Sequence, residues 1–150
     1  MNSLGVLAQS PIGAPIFFIE NSFINMSKHR IPIYIVDDNK SFGISLQRML
    51  NARGIEASYS KSAGAFLDSV PRGRRGIAVV DLHMPECDGF SLMEKMNALH
   101  YDIPVIVITG QTLSDSRETA MQRGAVGFLE KPFDEESLLA LIEQLEEQGA

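Results

Sequence analysis

Five residues set the chemistry to be explained: the adjacent pair Asp37-Asp38, then Asp81, Thr109 and Lys131. Each stands at or just past the end of an apolar run, IPIYIV before Asp37, IAVV before Asp81, IPVIVI before Thr109 and AVGFLE before Lys131. Asp81 poses the sharpest question, because the stretch IAVVDLHMPECDG at 77–89 stops an apolar run on a charge and then turns at Pro85 and Gly89. An unpaired carboxylate is costly to bury, so Asp81 is either solvated at a strand tip or held there for a purpose. If the run ends share one rim, three carboxylates, a hydroxyl and an ammonium meet on it. At an effective dielectric of about 20, two carboxylates about 4 Å apart repel by on the order of 4 kcal/mol. Such a group must protonate or recruit cations. Lys131 supplies one positive charge, and a divalent ion would supply more. Oxygen-only donors favour Mg²⁺, or Mn²⁺ in its place, and no His/Cys spacing selects Zn²⁺. A carboxylate beside a metal and a lysine is a ready acceptor for a phosphoryl group, whose in-line transfer needs positioning and neutralised oxygens. Asp81 would then be the nucleophile, forming an aspartyl phosphate. The metal and Lys131 would hold two phosphoryl oxygens, and Thr109 would offer its hydroxyl to a third. The alternative treats each residue as a strand-end cap; it serves any one of them better than all of them together.

The elements that must position these groups alternate regularly from residue 31. IPIYIV at 31–36 is a short, nearly continuous apolar run, as expected of a strand buried on both faces. SFGISLQRMLNARG follows, with Phe42, Leu46, Met49 and Leu50 at helical spacing and Gly54 as a stop signal. IEASY predicts a second, weaker strand, and AGAFLDSV a short helix with Ser62 as N-cap. IAVVD is the third strand, and GFSLMEKMNALH a helix with Phe90, Met93, Met96 and Leu99 in one band. IPVIVIT, SDSRETAMQRG and AVGFLE continue as strand, helix, strand. EESLLALIEQLEE closes the pattern, with Leu138, Leu141, Ile142 and Leu145 on one face. The sum is an α/β fold, (βα)5, whose right-handed crossovers make a doubly wound, five-stranded parallel sheet covered on both faces. In such sheets ligands bind outside the carboxyl ends of the strands, at the switch point, which is the rim carrying the five residues.

Composition agrees with one soluble domain: 150 residues, 45% hydrophobic and 21% charged. A net charge of −6 argues against bulk affinity for nucleic acid, which rests on Lys and Arg neutralising phosphates. The basic stretch Arg72-Gly73-Arg74-Arg75 reads as a solvated loop. Cys87 is the sole cysteine, so no internal disulfide forms, and it reads as a passive loop thiol. Residues 1–27 carry Glu20 as their sole charged side chain. They lack the positive flank of a secretory signal, and Pro11, Pro15, Glu20 and Asn21 interrupt any membrane span. They read as a loosely ordered tail or as sequence upstream of a start at Met26; alternatively, Ile16-Phe17-Phe18-Ile19 docks on the domain or on a second copy.

From 31 to 147 the chain resembles the receiver domains of two-component response regulators, the CheY-like superfamily. The carriers are IVDDN at 35–39, VVDLHMPECDG at 79–89, VIVITG at 105–110 and GAVGFLEKPF at 124–133. Their wording is nearest to receivers of the FixJ/NarL kind. The resemblance implies strand order 2-1-3-4-5, Asp81 as phosphoacceptor, Asp38 as direct Mg²⁺ ligand, Asp37 acting through a water, and the backbone carbonyl of His83 as a further ligand. Thr109 and Lys131 match the phosphoryl-contacting residues, Phe128 the switching aromatic, and Lys131-Pro132 the cis peptide usual in the family. Thr109 would move towards the phosphoryl group and Phe128 into the space vacated, changing the face made by helix four, strand five and helix five. His83 and Gln111 match two variable rim positions that tune hydrolysis; His83 could equally be an idle exposed imidazole, and His29 and His100 carry no pattern. The resemblance further implies a cytoplasmic protein phosphorylated by a sensor histidine kinase or a phosphotransfer protein, with self-phosphorylation and self-dephosphorylation as its only catalysis. It allows a phosphorylation-dependent homodimer and implies no membrane contact.

Two features depart from the pattern. Residues 1–30 form an N-terminal extension, and residues 148–150 a short tail with no helix-turn-helix after it, so this chain alone is not expected to touch nucleic acid. It is either a stand-alone receiver or the receiver portion of a longer regulator. A pseudo-receiver, which binds proteins without taking phosphate, normally has one of the key positions replaced, and here all stand. A haloacid-dehalogenase-type phosphatase would want a second Asp where His83 stands, and a flavodoxin would want a Ser/Thr/Gly-rich phosphate loop in place of DDNKSFG.

Overall fold

In the computed structural model, residues 31–111 and 116–149 are described. The N-terminal extension with Ile16–Ile19 and His29, the Ser114-Asp115 start of the fourth predicted helix, and Ala150 lie outside them. Among the described residues five strands and five helices alternate: β1 (Ile33–Val36), α1 (Lys40–Ala52), β2 (Ala57–Ser60), α2 (Ala63–Ser69), β3 (Ile77–Asp81), α3 (Gly89–Ala98), β4 (Val105–Thr109), α4 (Ser116–Gln122), β5 (Gly127–Glu130) and α5 (Glu135–Glu147). The strands form one sheet in the order β2-β1-β3-β4-β5, and every pair is parallel. The predicted α/β class and strand order are therefore met.

The near-continuous apolar strands follow from burial of both sheet faces. Alternate residues serve opposite cores. Ile33, Ile35, Ile77, Val79, Ile106 and Ile108 pack with Leu46 and Leu50 of α1 and Leu138, Ile142 and Leu145 of α5. Val36, Val80, Val107 and Phe128 pack with Phe66 of α2, Leu92 and Met96 of α3 and Ala120 of α4. A fully buried aliphatic side chain contributes about 1.5–3 kcal/mol, so this period-2 division holds the sheet in register.

The expected boundaries shift where the backbone has other partners. β1 starts at Ile33 rather than Ile31, after Pro32, which lacks an N–H. β2 starts at Ala57, because the N–H of Ile55 is already spent on the carbonyl of Leu50 at the end of α1. α3 stops at Ala98, and this corrects its expected band. Leu92 is wholly buried, whereas Leu99 is the C-cap and 40% exposed. The chain turns away at His100, whose φ is 64°, so the helical period no longer governs Leu99. Four N-caps are as the chemistry requires: Asn39 accepts from Phe42 N–H, Ser62 from Ala65 N–H, Asp88 from Ser91 N–H, and Asp134 from Ser137 N–H.

Candidate functional site

Strand register assembles the rim. Val36 pairs with Val80, so the next residues along, Asp37 and Asp81, emerge side by side at the carboxyl ends of β1 and β3. Asp81 itself is in register with Ile108 of β4, which puts Thr109 one step further on. Thr109 pairs with Glu130 of β5, and its carbonyl accepts from the N–H of Lys131 at 2.8 Å. Residues 94 positions apart thereby meet: Lys131 Nζ donates to Asp37 Oδ2 at 2.7 Å. Lys131 Nζ also lies 3.6 Å from Asp81 Oδ1. Carboxylate oxygens of Asp37, Asp38 and Asp81 all lie within 4.8 Å of one another. The rim expected from the strand ends is thus a single acidic cup with one ammonium at its side.

Asp37 is wholly buried and well supplied with donors. Its Oδ1 accepts from Asn39 N–H at 2.8 Å, and its backbone carbonyl accepts the Tyr59 hydroxyl at 2.7 Å. Burial and the nearby charges of Asp37 and Asp38 push the Tyr59 phenol above its ordinary range. Asp38 is exposed at the mouth. Asp81 is 5% exposed, and its pKa is pushed up to about 6, first by burial and then by the charge of Asp37, with Lys131 pulling the other way. Three carboxylates against one ammonium leave the cup short of positive charge. An all-oxygen donor set with that deficit fits a hard divalent cation such as Mg²⁺. Asp37, Asp38 and Asp81 would hold it, and the resemblance adds the backbone carbonyl of His83.

The turn after Asp81 is drawn tight. Gly89 N–H donates to the Leu82 carbonyl at 2.9 Å. A Cβ on Gly89 would come within 2.9 Å of the Asp81 carbonyl oxygen and 3.0 Å of Leu82 Cα. Backbone cannot yield as a side chain can, so only glycine lets α3 start this close to the end of β3. The exposed His83 ring reaches across the rim, with Nε2 at 3.1 Å from the Gln111 carbonyl. The same carbonyl accepts the Thr109 hydroxyl at 3.0 Å, and Gln111 N–H donates to Thr109 Oγ1 at 3.1 Å. His83, Gln111 and Thr109 therefore form one small hydrogen-bonded cluster. The Lys131-Pro132 peptide is cis, as the resemblance implied.

Residues 33–143 match the family described as the response regulator receiver domain. The chain belongs to that family. The receiver is 39% identical over 115 residues to the transcriptional regulatory protein FixJ of Rhizobium meliloti (strain 1021), covering 77% of this chain and 56% of FixJ. It is 34% identical over 118 residues to the response regulator protein TodT of Pseudomonas putida, covering 79% of this chain and 52% of TodT. The crystal structure of FixJ-N superposes with a TM-score of 0.73 at 38% identity, covering 80% of this chain and 96% of FixJ-N. The receiver thus spans about half the length of the curated relatives it matches. Among its described residues no helix is long and apolar enough to cross a membrane.

Two side chains of this receiver escaped the sequence reading of the site. Phe42 lies under Lys131, with Nζ 4.1 Å from its ring centroid. Its helical spacing marked it as core-facing, and nothing in the sequence linked it to a lysine in another element. Arg117 of α4 covers Phe128, its guanidinium 5.1 Å from the ring centroid and its Nη2 donating to the Phe128 carbonyl at 3.4 Å. Phe128 is already buried, at 3% exposure, in the core beneath α4. Cys87 is half-buried and free, against the same core.

Proposed function

We propose that the chain is a phosphoacceptor switch of a two-component pathway, taking a phosphoryl group on Asp81 from the phosphohistidine of a sensor kinase or phosphotransfer protein. The observation that carries this reading is the meeting of Asp37, Asp38 and Asp81 with Lys131 at one sheet edge. In the transfer an Asp81 carboxylate oxygen forms the new O–P bond as the donor's N–P bond breaks, and the imidazole leaves with a proton from solvent. Asp81 must be ionised to attack, and a pKa of about 6 leaves it so at neutral pH while keeping it more basic than an ordinary aspartate. A bound Mg²⁺ would neutralise charge on the phosphoryl oxygens and on the cup. Lys131 exchanges part of its bond with Asp37 for one to the phosphoryl group, and Thr109 gives up the Gln111 carbonyl to donate to another of its oxygens. Hydrolysis by water returns the carboxylate, and His83 and Gln111 stand where they would tune that step. Self-phosphorylation and self-dephosphorylation are the only catalysis the reading needs, and it places the protein with its kinase in the cytoplasm.

The conformational output follows from charge. Phosphorylation adds about −1.5 to −2 charge, and new bonds to charged groups contribute about 1.5–3 kcal/mol each. Two or three of them approach the roughly 5.5 kcal/mol needed to invert a two-state equilibrium. Phe128 and its cover Arg117 connect Thr109 to the face of α4, β5 and α5, where a partner, an output domain or a second copy would read the change. The test is intact-mass measurement after incubation with acetyl phosphate and Mg²⁺. A gain of one phosphoryl group is expected, labile to hydroxylamine and absent from Asp81→Asn or in EDTA. No gain from either acetyl phosphate or a phosphorylated histidine kinase would reject the reading.

A further inference from the structure

We infer that Phe42 is a positioning residue for the Lys131 ammonium, forming the apolar side of the seat from which that ammonium meets the phosphoryl group; this rests on the function proposed above. Lys131 is the group that must be placed most accurately and is the hardest to place, since its four-carbon stem has many rotamers. Asp37 fixes it from one side at 2.7 Å. Asp81 lies at 3.6 Å. The face of Phe42, 4.1 Å from Nζ, completes the seat. A ring face carries negative potential and attracts a cation, most strongly where water is thinned out; the Lys131 side chain is only 20% exposed.

The ring is itself held on two sides. Phe133, two residues beyond Lys131, meets it edge-on at 6.0 Å and 80°. The backbone N–H of Phe42 donates to Asn39 Oδ1 at 3.1 Å, and the N–H of Asn39 donates to Asp37 Oδ1 at 2.8 Å. Contacts therefore run in a closed circuit from Lys131 to Asp37, Asn39, Phe42, Phe133 and back. An aliphatic residue at 42 could fill the volume but has no quadrupole. The aromatic ring leaves the ammonium free to shift from Asp37 towards Asp81 without losing its support, because a ring face, unlike a carboxylate, holds a cation without fixing its hydrogen-bond direction.

Fluorination tests this at constant shape. Phe42 is replaced by mono-, di- and trifluorinated phenylalanine, which drains the ring face stepwise, and the initial rate of Asp81 phosphorylation by acetyl phosphate with Mg²⁺ is measured. The rate is expected to fall at each step, by about 3- to 10-fold across the series. Phe42→Leu is expected to match the most fluorinated protein, and Phe42→Trp to recover the parent rate. The Lys131 Hε protons are expected to resonate upfield by ring current in the parent and to lose that shift in Phe42→Leu. Equal rates across the series, or Lys131 Hε protons at ordinary positions in the parent, would overturn the inference while leaving Asp81 a phosphoacceptor. A parent that takes no phosphoryl group would overturn both, and the Hε shift would then still report whether the seat exists.

Discussion

Removing the Asp81 charge is expected to stabilise the metal-free protein. The pKa of Asp81 rises from 3.8 to about 6 on folding, through burial and the charge of Asp37. At about 1.36 kcal/mol per pKa unit, ionising it in the folded protein costs about 3 kcal/mol more than in the unfolded chain. Between those two values the folded state binds more protons than the unfolded state, so the contribution of Asp81 to stability is fully present below pH 4. It is lost as pH rises through about 6 and is flat above that. Asp81→Asn cannot ionise and escapes the loss. In EDTA at pH 8 the variant is expected to exceed the parent by up to about 3 kcal/mol, and the difference to vanish at pH 4. Urea unfolding followed by circular dichroism reads this as a midpoint shift of roughly 1–2 M for a domain of this size. The two proteins differ at this one side chain, so the difference reports the Asp81 charge together with its coupling to Asp37, Asp38 and Lys131. Adding Mg²⁺ at about a hundred times its dissociation constant is expected to restore about 2.7 kcal/mol to the parent and much less to the variant. A variant less stable than its parent at pH 8 in EDTA, or a difference independent of pH, would refute the charge deficit on which the metal assignment rests.

Three further substitutions probe the surroundings. Lys131→Met removes the one ammonium that the described residues bring to the cup, so Mg²⁺ is expected to bind more tightly by isothermal titration while phosphorylation slows at least tenfold; unchanged or weaker Mg²⁺ binding would contradict the charge balance of the cup. Gly89→Ala puts a Cβ within 2.9 Å of the Asp81 carbonyl, and overpacking of this kind costs about 1–3 kcal/mol. Its melting temperature is expected to fall and its Mg²⁺ affinity with it, because the end of β3 must move; normal values for both would show that the turn has slack. Asp134→Ala removes the N-cap of α5, which is expected to lower the urea midpoint with no effect on Mg²⁺ binding.

The reach of the sequence stopped where contacts depend on directions in space. Asp37, Asp81, Thr109 and Lys131 were legible because each ends an apolar run in a parallel sheet, and parallel register must bring such ends to one edge. The cost of burying Asp81 without partners pointed the same way, and the structure answers it with Lys131 on one side and unrelieved acid on the other. Periodicity found the buried stripe of α5 but misjudged α3, since it cannot see that the helix stops at Ala98 and leaves Leu99 outside. Phe42 and Arg117 were hidden for a different reason. Each looks ordinary in its own helix, one a core aromatic and the other a surface arginine. Their meaning lies in what they cover, Lys131 and Phe128, residues brought to them only by the fold.

If Asp81 takes a phosphoryl group as proposed, the geometry of the cup gives one small site a route to a whole face of the domain. Thr109 is buried and pairs with β5 through its backbone, while among the described residues its hydroxyl bonds with Gln111. Reorienting that hydroxyl therefore breaks a local turn and leaves the sheet intact. Phe128 lies one strand over, in register with Val107, under the guanidinium of Arg117. On the proposed function, a change in the space beside Thr109 would pass to this ring, then to Arg117 and α4. The apolar residues of the sheet are locked into two cores, so movement would be confined to what hangs from its carboxyl edge. On the proposed function, a charge delivered to Asp81 would act on that edge, where a few hydrogen bonds would suffice to move the surface without loosening the fold.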